Sequence, residues 1–209
     1  MKLETIMEHK LVTSYLNENS LIIDCGACLG EFSYPLYQRF RCKFILFEPD
    51  LRNYRKIINR YKNFKIYNKA IDTEIGKNTL YLGNYNTATS MYASHRGLGN
   101  LTQEVETTTL DYELKDIKLV DILKIDIEGK EIEVIPQMNY STLKKIKQIL
   151  IEYHQQSKID DYTEEKVSKV RKYLIDCGFD EISYYKEKEN SGYDGCYINK
   201  GLFDENWSI

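Results

Sequence analysis

The sequence predicts an α/β protein built on a doubly wound, mostly parallel sheet. Short apolar runs alternate with amphipathic stretches, a glycine-containing turn follows the first buried run, and acidic residues end several of the runs. Apolar runs that alternate with helical stretches are typical of parallel βαβ units. The chain of 209 residues fits one domain, residues 1–209, and is long enough to bury a core.

The elements are expected in the following order. We expect an N-terminal helical extension over residues 1–20, with its amphipathic helix at 3–16. Core strands are predicted at 21–23, 43–47, 64–67, 121–127 and 148–153, with extra strands at 79–82 and 105–109. Helices are predicted at 31–40, at 50–61, and from the N-cap Thr163 to the stop at Gly178. Two late strands, 182–185 and 196–199, are expected to form a C-terminal antiparallel hairpin at one edge of the sheet.

The bulk properties exclude several classes of protein. Hydrophobic residues make up 42% and charged residues 29%, which is typical of a globular chain. The formal net charge of −3 gives no basic surface for a nucleic acid, so no nucleic-acid partner is expected. No apolar stretch is long enough for a membrane span or a signal peptide, so we predict no membrane partner and a cytoplasmic location. The five cysteines are expected to be free thiols.

The strongest local signal is the turn DCGACLGE at residues 24–31, between a predicted strand and a predicted helix. Gly26 permits a tight turn and a close backbone approach, and Gly30 permits close helix packing. Glu48 ends the next strand, about 20 residues beyond the glycines, where an acidic residue accepts hydrogen bonds from ribose hydroxyls. Together these residues predict an adenosine-containing ligand at the carboxyl ends of the strands.

Two alternative interpretations of this turn remain open. A dinucleotide-binding protein of the oxidoreductase type would have a G-x-G-x-x-G turn, whereas this chain has Ala27 and Cys28 there. The acidic Asp24 suits a cationic ligand better than a diphosphate. A thiol redox module is the second alternative, because Cys25 and Cys28 form a C-x-x-C pair.

A second cluster of polar residues follows the fourth and fifth core strands. Asp126 and Glu128 end one strand, and Glu152 and His154 end the other. Alternation along a strand puts each pair on one face, and the carboxyl ends of neighbouring parallel strands lie together. These four residues are therefore our candidates for catalysis.

The blocks IIDCGACLGEFS with FEPD, TTLD leading to DILKIDIEGKE, and ILIEYH resemble the FkbM family of S-adenosylmethionine-dependent methyltransferases. The resemblance spans residues 21–154 and implies the Rossmann-like fold of class I methyltransferases, with S-adenosylmethionine as the cofactor. By position it implies these cofactor-binding residues: Asp24, Gly26, Ala27, Gly30, Glu48, Asn68, Ala70 and Asp126, with Lys69 and Ser90 nearby. Cys28 departs from the small or polar residue expected in the turn.

The resemblance also implies O-methylation of a hydroxyl, most often on a sugar or glycan, with a small-molecule or glycan acceptor as the partner. His154 is the first choice for the base that takes the hydroxyl proton. Asp126 would orient the acceptor, or would hold a divalent ion such as Mg²⁺ or Mn²⁺. The loop 83–101, with His95 and Arg96, is expected to recognise the acceptor. A third alternative is a protein that binds S-adenosylmethionine without catalysis.

Neither motif expected of a nucleobase methyltransferase occurs in the chain. No Pro-Pro-Tyr follows a fourth-strand Asp or Asn, and no Pro-Cys supplies a cytosine nucleophile.

Overall fold

The structure is a computed structural model that describes residues 3–83, 89–95, 98–154, 159, 162–186 and 193–203. The strands are β1 (Leu3–Ile6), β2 (His9–Val12), β3 (Leu21–Cys25), β4 (Lys43–Phe47), β5 (Lys65–Tyr67), β6 (Ala70–Ile71), β7 (Gly76–Gly83), β8 (Leu98–Thr108), β9 (Val120–Ile125), β10 (Ile146–Tyr153), β11 (Asp180–Lys186) and β12 (Tyr193–Ile198). The α-helices are α1 (Ser33–Phe40), α2 (Leu51–Arg60), α3 (Leu110–Glu113), α4 (Glu131–Val134), α5 (Tyr140–Leu143) and α6 (Glu164–Asp176).

Seven strands form the central sheet in the order β11-β12-β10-β9-β3-β4-β5. The five strands from β10 to β5 run parallel, and β12 is antiparallel to both β10 and β11. The chain extends the sheet from β3 in one direction through β4 and β5, and later in the other direction through β9 and β10. This reversal of strand order creates a crevice beyond the carboxyl ends of β3 and β9, where ligands bind in open α/β sheets.

Helices cover both faces of this sheet. On one face, α6 buries Val167, Val170 and Leu174 against the core that contains β9 and β10. On the other face, Leu36 of α1 and Ile57 of α2 are buried against the second half of the core. The doubly wound prediction is therefore confirmed. The C-terminal antiparallel hairpin is also confirmed, since β11 and β12 pair at the edge beside β10.

The predicted helix at residues 3–16 is wrong, because β1 and β2 form an antiparallel hairpin there. Apolar residues at Leu3, Met7 and Leu11 have helical spacing, which produced the error. The turn contains Met7 in the left-handed region (φ 53°), a conformation that glycine or asparagine would normally signal. Tertiary packing decides the structure, because β2 packs on β10 and β12 and Val12 N–H donates to Gln148 Oε1 (2.9 Å).

A smaller sheet of three strands, in the order β6-β8-β7, lies outside the central one. It contains the two extra strands predicted around residues 79–82 and 105–109, which the structure extends to Gly76–Gly83 and Leu98–Thr108. Its residues Ala70, Leu80 and Leu82 form a small apolar cluster of their own. Among the described helices, none is both long and apolar enough to cross a membrane.

Candidate functional site

The turn after β3 is held against the end of β9. Gly26 has φ +81°, and a Cβ atom there would lie 1.7 Å from the backbone oxygen of Asp126. Gly26 N–H donates to Phe47 O (3.0 Å), while Asp126 N–H donates to Cys25 O (3.0 Å). The absence of a side chain at Gly26 therefore lets the glycine turn and the Asp126 backbone meet at the mouth of the crevice.

Gly30 and Asp24 lie beneath this turn. A Cβ atom at Gly30 would come within 2.5 Å of the Tyr61 ring, so Gly30 allows close contact with the end of α2. Asp24 is fully buried and accepts a hydrogen bond from Ser33 Oγ (2.6 Å). Its other oxygen lies 3.4 Å from Lys124 Nζ. These contacts link the turn to α1 and to β9.

Glu48 follows β4, with its carboxylate turned toward the glycine turn. One oxygen accepts the Cys28 N–H (2.6 Å) and the other accepts the Asp50 N–H (2.8 Å). Burial raises the pKa of Glu48 to about 8, although both hydrogen bonds act to lower it. Asn68 fixes the same segment by donating to the backbone oxygens of Glu48 (2.8 Å) and Pro49 (2.9 Å).

A cavity of about 330 Å³ opens at the crevice. Its volume lies in the range of pockets that enclose a small ligand. Six of the residues predicted from the sequence line it: Gly26, Glu48, Ala70, Asp126, Glu128 and Glu152. Phe47, Ile71, Leu80 and Met91 supply apolar walls, and Lys69 also lines it. Five predicted residues lie outside this lining: Asp24, Ala27, Gly30, Asn68 and His154.

The predicted carboxylate cluster is assembled around His154, behind the cavity wall. His154 Nδ1 lies 2.9 Å from Glu131 Oε1, and Nε2 lies 3.2 Å from Glu128 Oε2 and 3.6 Å from Asp126 Oδ1. Burial alone would lower the pKa of His154, but Glu131 and Glu128 raise it well above 6.5. The ligating atoms of Asp126, Glu152 and His154 lie within 4.8 Å of one another, so this group could also hold a metal ion.

Glu128 has an unusual backbone within this cluster. Its φ is +53°, a strained conformation for a residue with a side chain, and such residues concentrate at functional sites. Its Oε2 lies 2.9 Å from His95 Nε2 as well as 3.2 Å from His154 Nε2. Two buried imidazoles therefore hold the carboxylate of a residue that lines the cavity.

Lys124 and Glu131 belong to the site but were missed from the sequence. Lys124 is buried in β9, 2.9 Å from Asp126 Oδ2. Burial would lower its pKa, but Asp126 and Asp24 raise it above the usual range. The one available signal was a charged residue inside the apolar run VDILKI, since a buried lysine requires carboxylate partners. Glu131 is buried in α4, where it accepts the Ile127 N–H (3.0 Å).

The proposed redox pair lacks the properties of reactive thiols. All five cysteines are free. Burial raises the pKa of Cys28 to about 12 and raises that of Cys25 further above its usual range. Reactive cysteines have a lowered pKa, so this arrangement argues against the thiol redox alternative.

The loop expected to recognise the acceptor is described only in part. Ser90 is buried and donates to the backbone oxygen of Glu128 (2.7 Å). His95 is buried beside His154, with ring centroids 6.0 Å apart. Arg96 lies outside the described residues. The described part of the loop therefore contacts Glu128 through Ser90 and His95.

Comparison with protein families identifies the chain. A model of the methyltransferase FkbM domain matches residues 24–181, more than half of the sequence. The chain belongs to the FkbM methyltransferase family. The matched region includes the glycine turn, Glu48 and the whole carboxylate cluster. A comparison with curated proteins gave no match.

Solved structures with a similar fold are also methyltransferases or related proteins. Methanococcus jannaschii fibrillarin, a pre-rRNA processing protein, is 12% identical, with a TM-score of 0.54 over 92% of this chain and 72% of that one. Precorrin-6y C5,15-methyltransferase from Geobacter metallireducens is 12% identical, with a TM-score of 0.51 over 88% and 82%. Aeropyrum pernix fibrillarin with bound S-adenosylmethionine is 10% identical, with a TM-score of 0.51 over 88% and 67%.

The FkbM protein therefore has the Rossmann-like fold of class I methyltransferases, and its cofactor is S-adenosylmethionine. This confirms the resemblance, the fold class and the cofactor predicted from the sequence. The family match favours methyl transfer over the dinucleotide and redox alternatives.

Proposed function

We propose that this protein transfers a methyl group from S-adenosylmethionine to a hydroxyl group of a sugar or another small polyhydroxylated molecule. The observation that carries the proposal is the position of Glu128. Glu128 lines the same cavity as Gly26 and Glu48, and its Oε2 lies within 3.2 Å of two buried imidazoles. A fixed carboxylate at the cavity surface can accept a proton from a bound hydroxyl.

Gly26 and Glu48 are suited to hold the cofactor. S-adenosylmethionine supplies a methyl group that is already activated by its sulfonium. Glu48 would accept hydrogen bonds from the ribose hydroxyls, because each of its oxygens has capacity beyond one backbone N–H. The apolar walls from Ile71, Leu80 and Met91 suit an adenine ring. The negative charge of Asp126 at the other end suits the cationic part of the cofactor.

The carboxylates at this end of the cavity also favour a hydroxylated acceptor. Asp126, Glu128 and Glu152 all line the cavity and can each accept hydrogen bonds from hydroxyl groups. The same charges would repel the phosphates of a nucleic acid, as the overall charge of −3 does more weakly. We therefore propose a small-molecule or glycan acceptor.

In the proposed step, the acceptor hydroxyl loses its proton to Glu128 while the oxygen forms its bond to the methyl group. The bond between methyl and sulfur breaks, and its electron pair stays on the sulfur. His95 and His154 hold the Glu128 carboxylate in place. His154 as the direct base stays a prediction; Glu128 is favoured because it lines the cavity and His154 does not.

The test measures transfer of a radiolabelled methyl group to a panel of free sugars, amino sugars and glycosides, with an RNA transcript as the alternative acceptor. We expect Glu128→Gln to lower kcat by about 10²–10⁴ while the Kd for S-adenosylhomocysteine stays the same. The control is Glu106→Gln, which makes the same substitution at an exposed position of β8. Label found in RNA and in no sugar, or a normal kcat in Glu128→Gln, contradicts the proposal.

A further inference from the structure

A second group of ligating side chains lies beside the cofactor cavity, and it joins three separate parts of the chain. His9 comes from the N-terminal hairpin, Glu152 from β10 and Asp194 from β12. One ligating atom from each residue lies within 4.8 Å of the other two. His9 and Asp194 are both buried, with exposed fractions of 5% and 6%.

The contact between His9 and Asp194 has the geometry of two side chains bound to one metal ion rather than that of a hydrogen bond. His9 Nδ1 lies 2.9 Å from Asp194 Oδ1, yet this buried oxygen has no hydrogen-bond partner among the residues that the structure describes. Two ligands about 2.1 Å from one metal ion and at right angles to each other are about 3 Å apart. The His9 ring is held in this orientation by an edge contact with Phe32, with ring centroids 5.4 Å apart.

The charges around these residues are unbalanced. Glu152 and Asp194 are directly opposite each other in the antiparallel pairing of β10 and β12, where like charges destabilise a sheet. A smaller cavity of about 150 Å³ next to them is lined by four carboxylates, from Glu8, Glu31, Asp126 and Glu152. Among its described lining residues, Lys124 is the one lysine or arginine. A bound cation would offset this excess of negative charge.

We infer that His9, Glu152 and Asp194 form a binding site for a divalent metal ion beside the cofactor cavity. One imidazole and two carboxylates form a mixed nitrogen and oxygen set, which suits Mn²⁺ better than Ca²⁺ or Mg²⁺. Its open coordination positions would face the smaller cavity, because His9 and Glu152 line that cavity and Asp194 lies behind them. The two cavities share Gly26, Asp126 and Glu152, so the ion would lie next to the cofactor.

Metal binding at this site does not depend on the identity of the methyl acceptor. The ion would fasten the N-terminal hairpin to the central sheet, because β2 supplies one ligand and β10 and β12 supply the other two. This role differs from that of the overlapping group of Asp126, Glu152 and His154, which involves no residue from the hairpin.

The first measurement is calorimetric titration of the chelator-treated protein with MnCl₂, without cofactor or acceptor. We expect one Mn²⁺ per chain, and at least a tenfold weaker Kd in both Asp194→Asn and His9→Gln. The matched control is Asp180→Asn, which removes an exposed carboxylate from the same C-terminal hairpin. Circular dichroism and the Kd for S-adenosylhomocysteine show whether each variant is folded.

Pulsed EPR of the Mn²⁺ complex gives a second readout, whose first part uses the wild-type protein alone. It should detect coupling from one imidazole nitrogen in the wild type, and that coupling should disappear in His9→Gln. Loss of Mn²⁺ binding in His154→Gln but not in His9→Gln would assign the ion to the overlapping group instead. That result, or no Mn²⁺ binding by the wild type, overturns the inference.

Discussion

Replacing Gly26 by alanine tests how the glycine turn is held against β9. The new Cβ atom would lie 1.7 Å from the Asp126 backbone oxygen and 2.9 Å from its carbonyl carbon. Neither atom belongs to a flexible side chain, so the turn and the end of β9 must separate by more than 1 Å to reach ordinary contact distances. That movement disturbs the backbone hydrogen bonds from Gly26 N to Phe47 O and from Asp126 N to Cys25 O.

The expected loss of stability has three parts. Holding a residue that has a side chain in the left-handed backbone conformation costs about 1–2 kcal/mol. Overpacking costs about 1–3 kcal/mol, and weakening of the backbone hydrogen bonds adds about 1 kcal/mol. We therefore expect Gly26→Ala to reduce the free energy of unfolding by about 3–6 kcal/mol, a large fraction of the total for a domain.

Gly178→Ala is the matched control. Gly178 has a similar φ of +94°, but a Cβ atom there would meet no heavy atom of the described residues within 4 Å. In this variant backbone strain alone should reduce the free energy of unfolding by about 1–2 kcal/mol. Both substitutions replace glycine by alanine, so they reduce the conformational entropy of the unfolded chain to the same extent. Urea unfolding of the two variants measures the difference. Equal losses of stability would refute the argument that the close approach of Asp126 requires glycine at position 26.

Three further predictions concern single interactions. Because burial raises the pKa of Glu48 to about 8 and the ribose hydroxyls would favour its charged form, binding of S-adenosylhomocysteine at pH 7 should release a proton from Glu48. Calorimetry in buffers of different ionisation enthalpy measures this release, and Glu48→Gln should abolish it; an equal release in that variant would count against the assignment. Lys124→Met should lower the free energy of unfolding by about 3–5 kcal/mol, because it leaves the buried Asp24 and the partly buried Asp126 without their cation. Adding Asp24→Asn should restore part of that loss in urea unfolding, and strictly additive losses would contradict the coupling. Thr163→Ala removes the N-cap of α6 and should lower the free energy of unfolding by about 1 kcal/mol without changing cofactor affinity.

The central sheet was predictable because its strands are short apolar runs with clear ends. The run KFILF was predicted as a strand at the bounds the structure gives, Lys43–Phe47. The N-terminal hairpin was not predictable, because its turn has no glycine or asparagine. Its β2 strand is stabilised by contacts with β10 and β12, far along the chain, and local spacing carries no information about such contacts.

The site residues that could be predicted are those that directly follow or end a recognisable strand. Gly26 and Glu48 follow successive strands at a fixed spacing, and Asp126 and Glu152 end neighbouring strands. By contrast, His9 and Asp194 stand next to no recognisable motif, and only the folded chain brings them within 2.9 Å of each other. Lys124 was overlooked because its carboxylate partners Asp24 and Asp126 are brought beside it by the fold and are evident only from the structure.

The central position of β3 has a consequence for how the protein folds as it is synthesised. On one side β3 pairs with β4, which follows closely in the chain: Leu21 lies opposite Lys43. On its other side the partner is β9, where Leu21 N–H donates to Asp121, 100 residues later. Until β9 has left the ribosome, one edge of the apolar strand β3 therefore has no partner, and such edges favour misassembly. The cofactor crevice lies between the ends of β3 and β9, so the cofactor can stabilise the fold only after β9 has been made and has paired with β3.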